Sequence, residues 1–175
     1  MNRAAPAARK QIGDKRMAQK QEETKRPGFR TGQTSEFMVI APLKTGGADR
    51  LRKKFPGGFS PEGAKKIDSV GTVHDLRFTI FANDTMLLFC SVFDGDWDSY
   101  IHDFSTFIPE ALDATFEELE GYPGIRSPEV KDFILKYQVT ATAFYSAHPD
   151  ATVKQIKSAL KTKAAFEALL DTASG

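Results

Sequence analysis

Thr72-Val73-His74-Asp75-Leu76-Arg77-Phe78-Thr79-Ile80-Phe81, the turn Ala82-Asn83-Asp84, and Thr85-Met86-Leu87-Leu88-Phe89-Cys90-Ser91-Val92-Phe93 form the stretch that decides the fold. Its first run alternates, with His74, Leu76, Phe78 and Ile80 on one face and Val73, Asp75, Arg77, Thr79 and Phe81 on the other, as a strand with a two-residue period requires. The second run is apolar on both faces, the pattern of a central strand. A short polar turn between them makes the pair a hairpin.

Downstream, Trp97, Tyr100, Ile101, Phe104 and Ile108 recur at helical spacing, so a helix follows Asp96, which serves as its N-cap. Pro109 removes a backbone donor within that pattern, so the helix kinks or restarts there and runs on to Leu119, before Gly121-Tyr122-Pro123-Gly124. Upstream, Glu36–Leu43 is a first strand stopped by Pro42 and the Gly46-Gly47 pair. Helical spacing over Ala48–Phe55, and an N-cap with proline at Ser60-Pro61, predict two short helices between the first strand and the hairpin. Ser127-Pro128-Glu129 repeats that signal before a short helix to Lys136. Gln138–Ala147 reads as a fourth strand, and Thr152–Thr172 as a closing helix with Val153, Ile156, Leu160, Phe166, Leu169 and Leu170 mostly on one side.

The order β–α–β–β–α–β–α is that of an α+β, ferredoxin-like βαββαβ sandwich: a four-stranded antiparallel sheet with helices on one face, here with extra helices. Strands apolar on both faces predict that the second face is buried as well. A second copy is the simplest cover, giving a homodimer that closes into a dimeric α/β barrel with a ligand cavity.

The chain of 175 residues, 41% hydrophobic and 11% aromatic, has material for one core. Residues 1–34 carry nine Lys or Arg against three acids, a charge of +6, and the remainder carries −5. With no large apolar residue between Met17 and Phe29, that segment reads as a basic, disordered tail preceding a domain over 35–175. It suits docking to a protein or acidic partner, with nucleic acid a weaker candidate. The lone Cys90 fits a reducing cytoplasm, and no run approaches the roughly 18 apolar residues of a membrane span.

Three stretches carry a resemblance: Phe37-Met38-Val39-Ile40-Ala41-Pro42-Leu43-Lys44-Thr45-Gly46, Val70-Gly71-Thr72-Val73-His74-Asp75-Leu76-Arg77-Phe78, and Leu87 through Tyr100. Over residues 36–120 the chain resembles a loosely characterised family of the dimeric α/β barrel superfamily. That superfamily includes haem-binding dye-decolorising peroxidases and chlorite dismutases, cofactor-free quinol-forming monooxygenases, and modules that only bind ligands or oligomerise. The peroxidases carry a Gly-x-x-Asp-Gly motif whose Asp sits over the haem. Here Ser91-Val92-Phe93-Asp94-Gly95 keeps the Asp-Gly and lacks the first glycine, and only His74, His102 and His148 could supply an axial imidazole.

The catalytic candidates are His74 and Asp94 for proton transfer and Arg77 for binding an anion or pairing with Asp75. Trp97, Tyr100, His102, Phe78 and Phe93 are the candidates for contact with a ligand, and 14 phenylalanines suit an apolar one. Asp94, Asp96 and Asp98 alternate like a calcium loop but lack its downstream Glu, so no metal site is expected. There is no Gly-rich phosphate loop, no Cys-His zinc spacing and no nucleophile elbow. The chain therefore reads as a small-ligand-binding or accessory barrel needing no cofactor. A cofactor-free monooxygenase or haem peroxidase-like enzyme is the alternative, and an assembly or cargo protein docking through its tail the third reading.

Overall fold

The computed structural model describes residues 28–173. Along the chain run β1 (Arg30–Thr31), β2 (Thr34–Pro42), α1 (Gly47–Lys54), α2 (Pro61–Val70), β3 (Val73–Phe81), β4 (Met86–Asp94), α3 (Trp97–Phe107), α4 (Pro109–Phe116), α5 (Val130–Tyr137) and α6 (Val153–Ala173). The sheet is antiparallel throughout, in the order β1-β2-β4-β3. β4 lies between β2 and β3, and α1 and α2 carry the chain across it. This α+β arrangement is compatible with a ferredoxin-like fold.

Local chemistry accounts for the boundaries. Ser60 Oγ accepts the Gly63 N–H and Pro61 opens α2, while Gly71, at φ 75°, ends it in the left-handed conformation. Asp96 caps α3 by accepting the Ser99 N–H at 2.9 Å, and that hydrogen bond above all holds its carboxyl below the ordinary range. Pro109 begins a new helix, as expected, with Ile108 at φ −138° as the break. The β3–β4 turn places Ala82, Asn83 and Asp84 all at positive φ, and Arg52 of α1 grips Asp84 with two nitrogens at 2.6 and 2.8 Å.

One sheet face is the core. Phe37, Val39 and Ala41 of β2 and Leu87, Phe89 and Phe93 of β4 are buried there against Leu51, Tyr100, Phe104, Leu112, Leu119 and Ile134. The parity read for β3 holds from Asp75 onward, with Leu76, Phe78 and Ile80 packed on this core and Arg77, Thr79 and Phe81 exposed, but Val73, expected on the Arg77 face, also packs on the core. A bulge at His74 interrupts the register between Val73 and Asp75.

The fourth strand differs from expectation. Residues 138–147 form no strand, and only one β-bridge, Gln138 to Val39, ties them to the sheet ladder. The edge of β2 is already occupied by β1, opposite Thr34 and Ser35, and by the buried Glu36, whose Oε1 accepts the N–H groups of Phe29 at 3.0 Å and Ala141 at 3.4 Å. A side chain thus takes the donors that a ladder would use. Gly28 is required beside it: at φ +84°, a Cβ there would lie 1.8 Å from the Glu36 carbonyl oxygen. Residues 28–34 are therefore joined to the domain expected to begin at residue 35, and the rest of the basic tail, 1–27, lies outside the described residues.

The closing helix also differs. Only Val153 of α6 is buried, while Leu160, Phe166 and Leu169 are each about 60% exposed. Among the described residues no helix is long and apolar enough to cross a membrane.

Glu118 ties the end of α4 to α1. It is buried, accepts from Arg50 Nε at 2.7 Å and Lys54 Nζ at 3.0 Å, and gives its carbonyl to the Lys44 N–H. Burial raises its carboxyl pKa, but the hydrogen bonds from Lys54 and Arg50 outweigh burial and hold it below its ordinary value of 4.5. The unfolded chain then binds the proton more readily, so this contribution is full above the ordinary value and is lost as pH falls through the folded one. Glu118→Gln should cost about 1–3 kcal/mol at neutral pH and less at pH 3, below the ordinary value, read by urea unfolding at both. An equal cost at both would refute the ion-pair account.

Candidate functional site

Between the core face of the sheet and the helices lies an apolar cavity of about 320 Å³, within the size range of small-molecule sites. Leu76 and Phe78 of β3 and Phe89 of β4 form its floor, Phe104 and Phe116 its helical wall, and Phe55 and Phe59 the side toward α1 and α2. Phe78 meets Phe55 at a centroid distance of 4.8 Å and Phe59 at 5.5 Å, both edge to face. Rings packed by their edges leave faces open, which is how a space lined by apolar side chains persists. Phe59, 39% exposed, follows the Pro56-Gly57-Gly58 turn and stands at the mouth.

Two lining side chains are polar. Thr115 Oγ1 donates to the Ala111 carbonyl at 3.0 Å, inside its own helix. Lys54 Nζ donates to the Ala114 carbonyl at 2.6 Å, Glu117 Oε1 at 2.7 Å and Glu118 Oε1 at 3.0 Å. Burial lowers the Lys54 pKa, yet the two carboxylates outweigh it and hold the ammonium above its ordinary value.

The structure divides the residues singled out in the sequence. His74 and Asp94 do meet, Nε2 to Oδ1 at 2.7 Å, both largely buried. The second oxygen, Oδ2, accepts the Val153 N–H at 2.8 Å, so the same carboxylate fastens the first turn of α6 to the end of the sheet. Neither residue lines the cavity. Arg77 projects from the other sheet face and pairs with the exposed Asp75, so the three catalytic candidates form no single constellation.

Of the ligand-contact candidates, Phe78 lines the cavity. Phe93, Trp97 and Tyr100 build the core beside it: Phe93 stacks on Tyr100 at 3.9 Å, and Trp97 lies 4.5 Å from Phe37. The Tyr100 hydroxyl is buried without a direct hydrogen bond, and burial pushes its pKa well above the phenol range. His102 is exposed on α3, at a polar surface cleft with Arg126 and Lys131. Asp98, one turn before it, pairs with Lys131 at 2.6 Å.

The residues do not fit haem. No histidine lines the cavity, His74 is committed to Asp94, and His102 and His148 are exposed. Among the described residues no three of His, Cys, Asp and Glu converge in a way that could hold a metal ion. Cys90 is buried, and burial raises its thiol pKa, the state of an inert cysteine.

Sequence reasoning missed Phe55, Phe59, Phe104 and Phe116 as lining residues. Their spacing marks helix faces turned to a core, and nothing local separates a ring that fills space from one that bounds it. Compared with known proteins, the chain matches no family model, no curated protein and no solved structure.

Asp94→Ala removes an acceptor from both His74 and the Val153 N–H. We expect a loss of about 1–3 kcal/mol and faster hydrogen exchange in the first turn of α6. His74→Gln, which leaves the Val153 bond in place, should leave that exchange slow. Unchanged exchange in Asp94→Ala would show that the carboxylate does not anchor the helix.

Proposed function

We propose that this chain is a small-ligand-binding protein, holding an apolar, ring-bearing molecule between its sheet and helices. The observation that carries this reading is the cavity of about 320 Å³ bounded by phenylalanine rings. The binding reading is favoured over the enzymatic one because no His, Asp or Glu lines that cavity, the one titratable lining group, Lys54, has all three donors engaged, and a general acid or base must reach the proton it transfers. His74 and Asp94 instead spend their hydrogen bonds on each other and on α6. The basic N-terminal segment keeps its place in this reading as a docking element for an acidic partner protein, supported by its charge.

Binding is tested with naphthalene, an uncharged probe. One site per chain is expected for naphthalene in the folded protein. Ala111→Trp and Ala114→Trp, on the exposed side of α4 at the cavity mouth, should weaken it at least tenfold with little change in stability. Binding that ignores both substitutions would place the ligand elsewhere.

A second copy supports the same architecture. On the sheet face away from the core, Met38, Ile40, Leu88 and Val92 remain partly exposed beside the exposed pair Asp75 and Arg77. Two such faces related by a two-fold axis would bury the apolar strip and offer each Arg77 a partner's carboxylate. The proposed assembly is thus the homodimeric α/β barrel. Light scattering at tens of micromolar should give a dimer, and Leu88→Glu a folded monomer. A monomeric wild-type chain at that concentration would overturn the dimer and leave the cavity untouched.

A further inference from the structure

We propose that the cavity selects uncharged ligands and rejects carboxylic acids, and that Glu117 is a specificity-determining residue because it keeps Lys54 from pairing with an incoming anion. This rests on the reading of the cavity as a binding site and goes on to name the class of molecule it takes.

An apolar pocket with a lysine at its rim would ordinarily suit a molecule with an apolar body and an acidic head, the ammonium meeting the carboxylate. Here the geometry forbids it. An ammonium group has three donors. All three of Lys54 are taken, by the Ala114 carbonyl, Glu117 and Glu118, at 2.6 to 3.0 Å. An acid could reach Lys54 only by displacing one of these acceptors, and would then stand against the two carboxylates already there. The other polar lining group, the Thr115 hydroxyl, has spent its proton on the Ala111 carbonyl.

No lining side chain therefore has a donor free for an anion. A ligand carboxylate would have to give up its water with nothing to replace it, a cost borne in full. An uncharged ring system loses no such partners and gains the open faces and edges of Phe55, Phe59 and Phe78. Selectivity of this kind comes from a repulsive element at the mouth as much as from the attractive wall.

The two carboxylates differ in what they can be asked to do. Glu118 is buried and also holds Arg50, so its loss would disturb the fold. Glu117 is 59% exposed as a side chain and is bonded here through Lys54. Removing Glu117 frees one ammonium donor at the rim while the α1–α4 contact through Glu118 persists.

The test titrates naphthalene and 2-naphthoate into the full-length wild-type chain, Glu117→Ala, and Glu117→Ala with Lys54→Met, followed by protein-detected NMR. For wild type, naphthalene should bind at least tenfold more tightly than 2-naphthoate. Desolvation alone disfavours an acid in any apolar pocket, so the variants decide the cause. Glu117→Ala should reduce the ratio at least fivefold by strengthening 2-naphthoate, and adding Lys54→Met should abolish that gain. Comparable affinities for the two probes in wild type would overturn the selectivity and leave the cavity reading standing. A ratio unchanged in Glu117→Ala would remove Glu117 as its determinant. Failure of naphthalene itself to bind wild type would refute the binding reading.

Discussion

The stacking of Phe93 on Tyr100, at 3.9 Å and wholly buried, is the contact on which the rest of the architecture depends. Phe93 is near the end of the central strand β4 and Tyr100 is in the first turn of α3, so their contact sets the direction in which the chain leaves the sheet. Phe104, one turn on, then packs 4.4 Å from Tyr100 and reaches the space above Phe89. Pro109 breaks the helix there, and α4 brings Phe116 back to within 5.1 Å of Phe89. The cavity is the volume that this path encloses and its side chains do not fill.

Around that apolar centre, three largely buried carboxylates join segments far apart in sequence. Glu36 holds Phe29 and Ala141 at the sheet edge, Asp94 holds His74 and the start of α6, and Glu118 holds Arg50 and Lys54. A buried carboxylate is costly unless its oxygens are paired, and each of these finds donors from two directions. The acids therefore act as position-specific clasps, where the hydrophobic effect alone would leave the segments free to slide. None of the three lines the apolar cavity.

The molecule divides into a polar frame and an apolar interior, and the proposed binding reading follows from that division. The charged groups nearest the cavity neutralise one another at the mouth, and the imidazoles sit outside it. Apart from Lys54 and Thr115, what lines the interior is apolar side chain, most of it ring surface.

The sequence by itself determined the three long strands, the hairpin, the caps at Ser60 and Asp96 and an interruption at Pro109, because each follows from residues within a few positions of one another. Alternation shows which face of Phe78 and Arg77 is which, and a short polar turn can close only one way. It also drew attention to His74 and Asp94, which do meet. The absent fourth strand was decided in three dimensions. Residues 138–147 have the composition of a strand, but β1 and the Glu36 side chain already hold the β2 edge, and competition for an edge is invisible along the chain. Likewise α6 carries an apolar stripe that the sequence assigns to a core, yet only its first turn, at Val153, is clasped to the sheet. The cavity is the extreme case: Phe55, Phe59, Phe104 and Phe116 read as core, and whether rings fill a space or line it depends on angles between elements, which only tertiary packing sets.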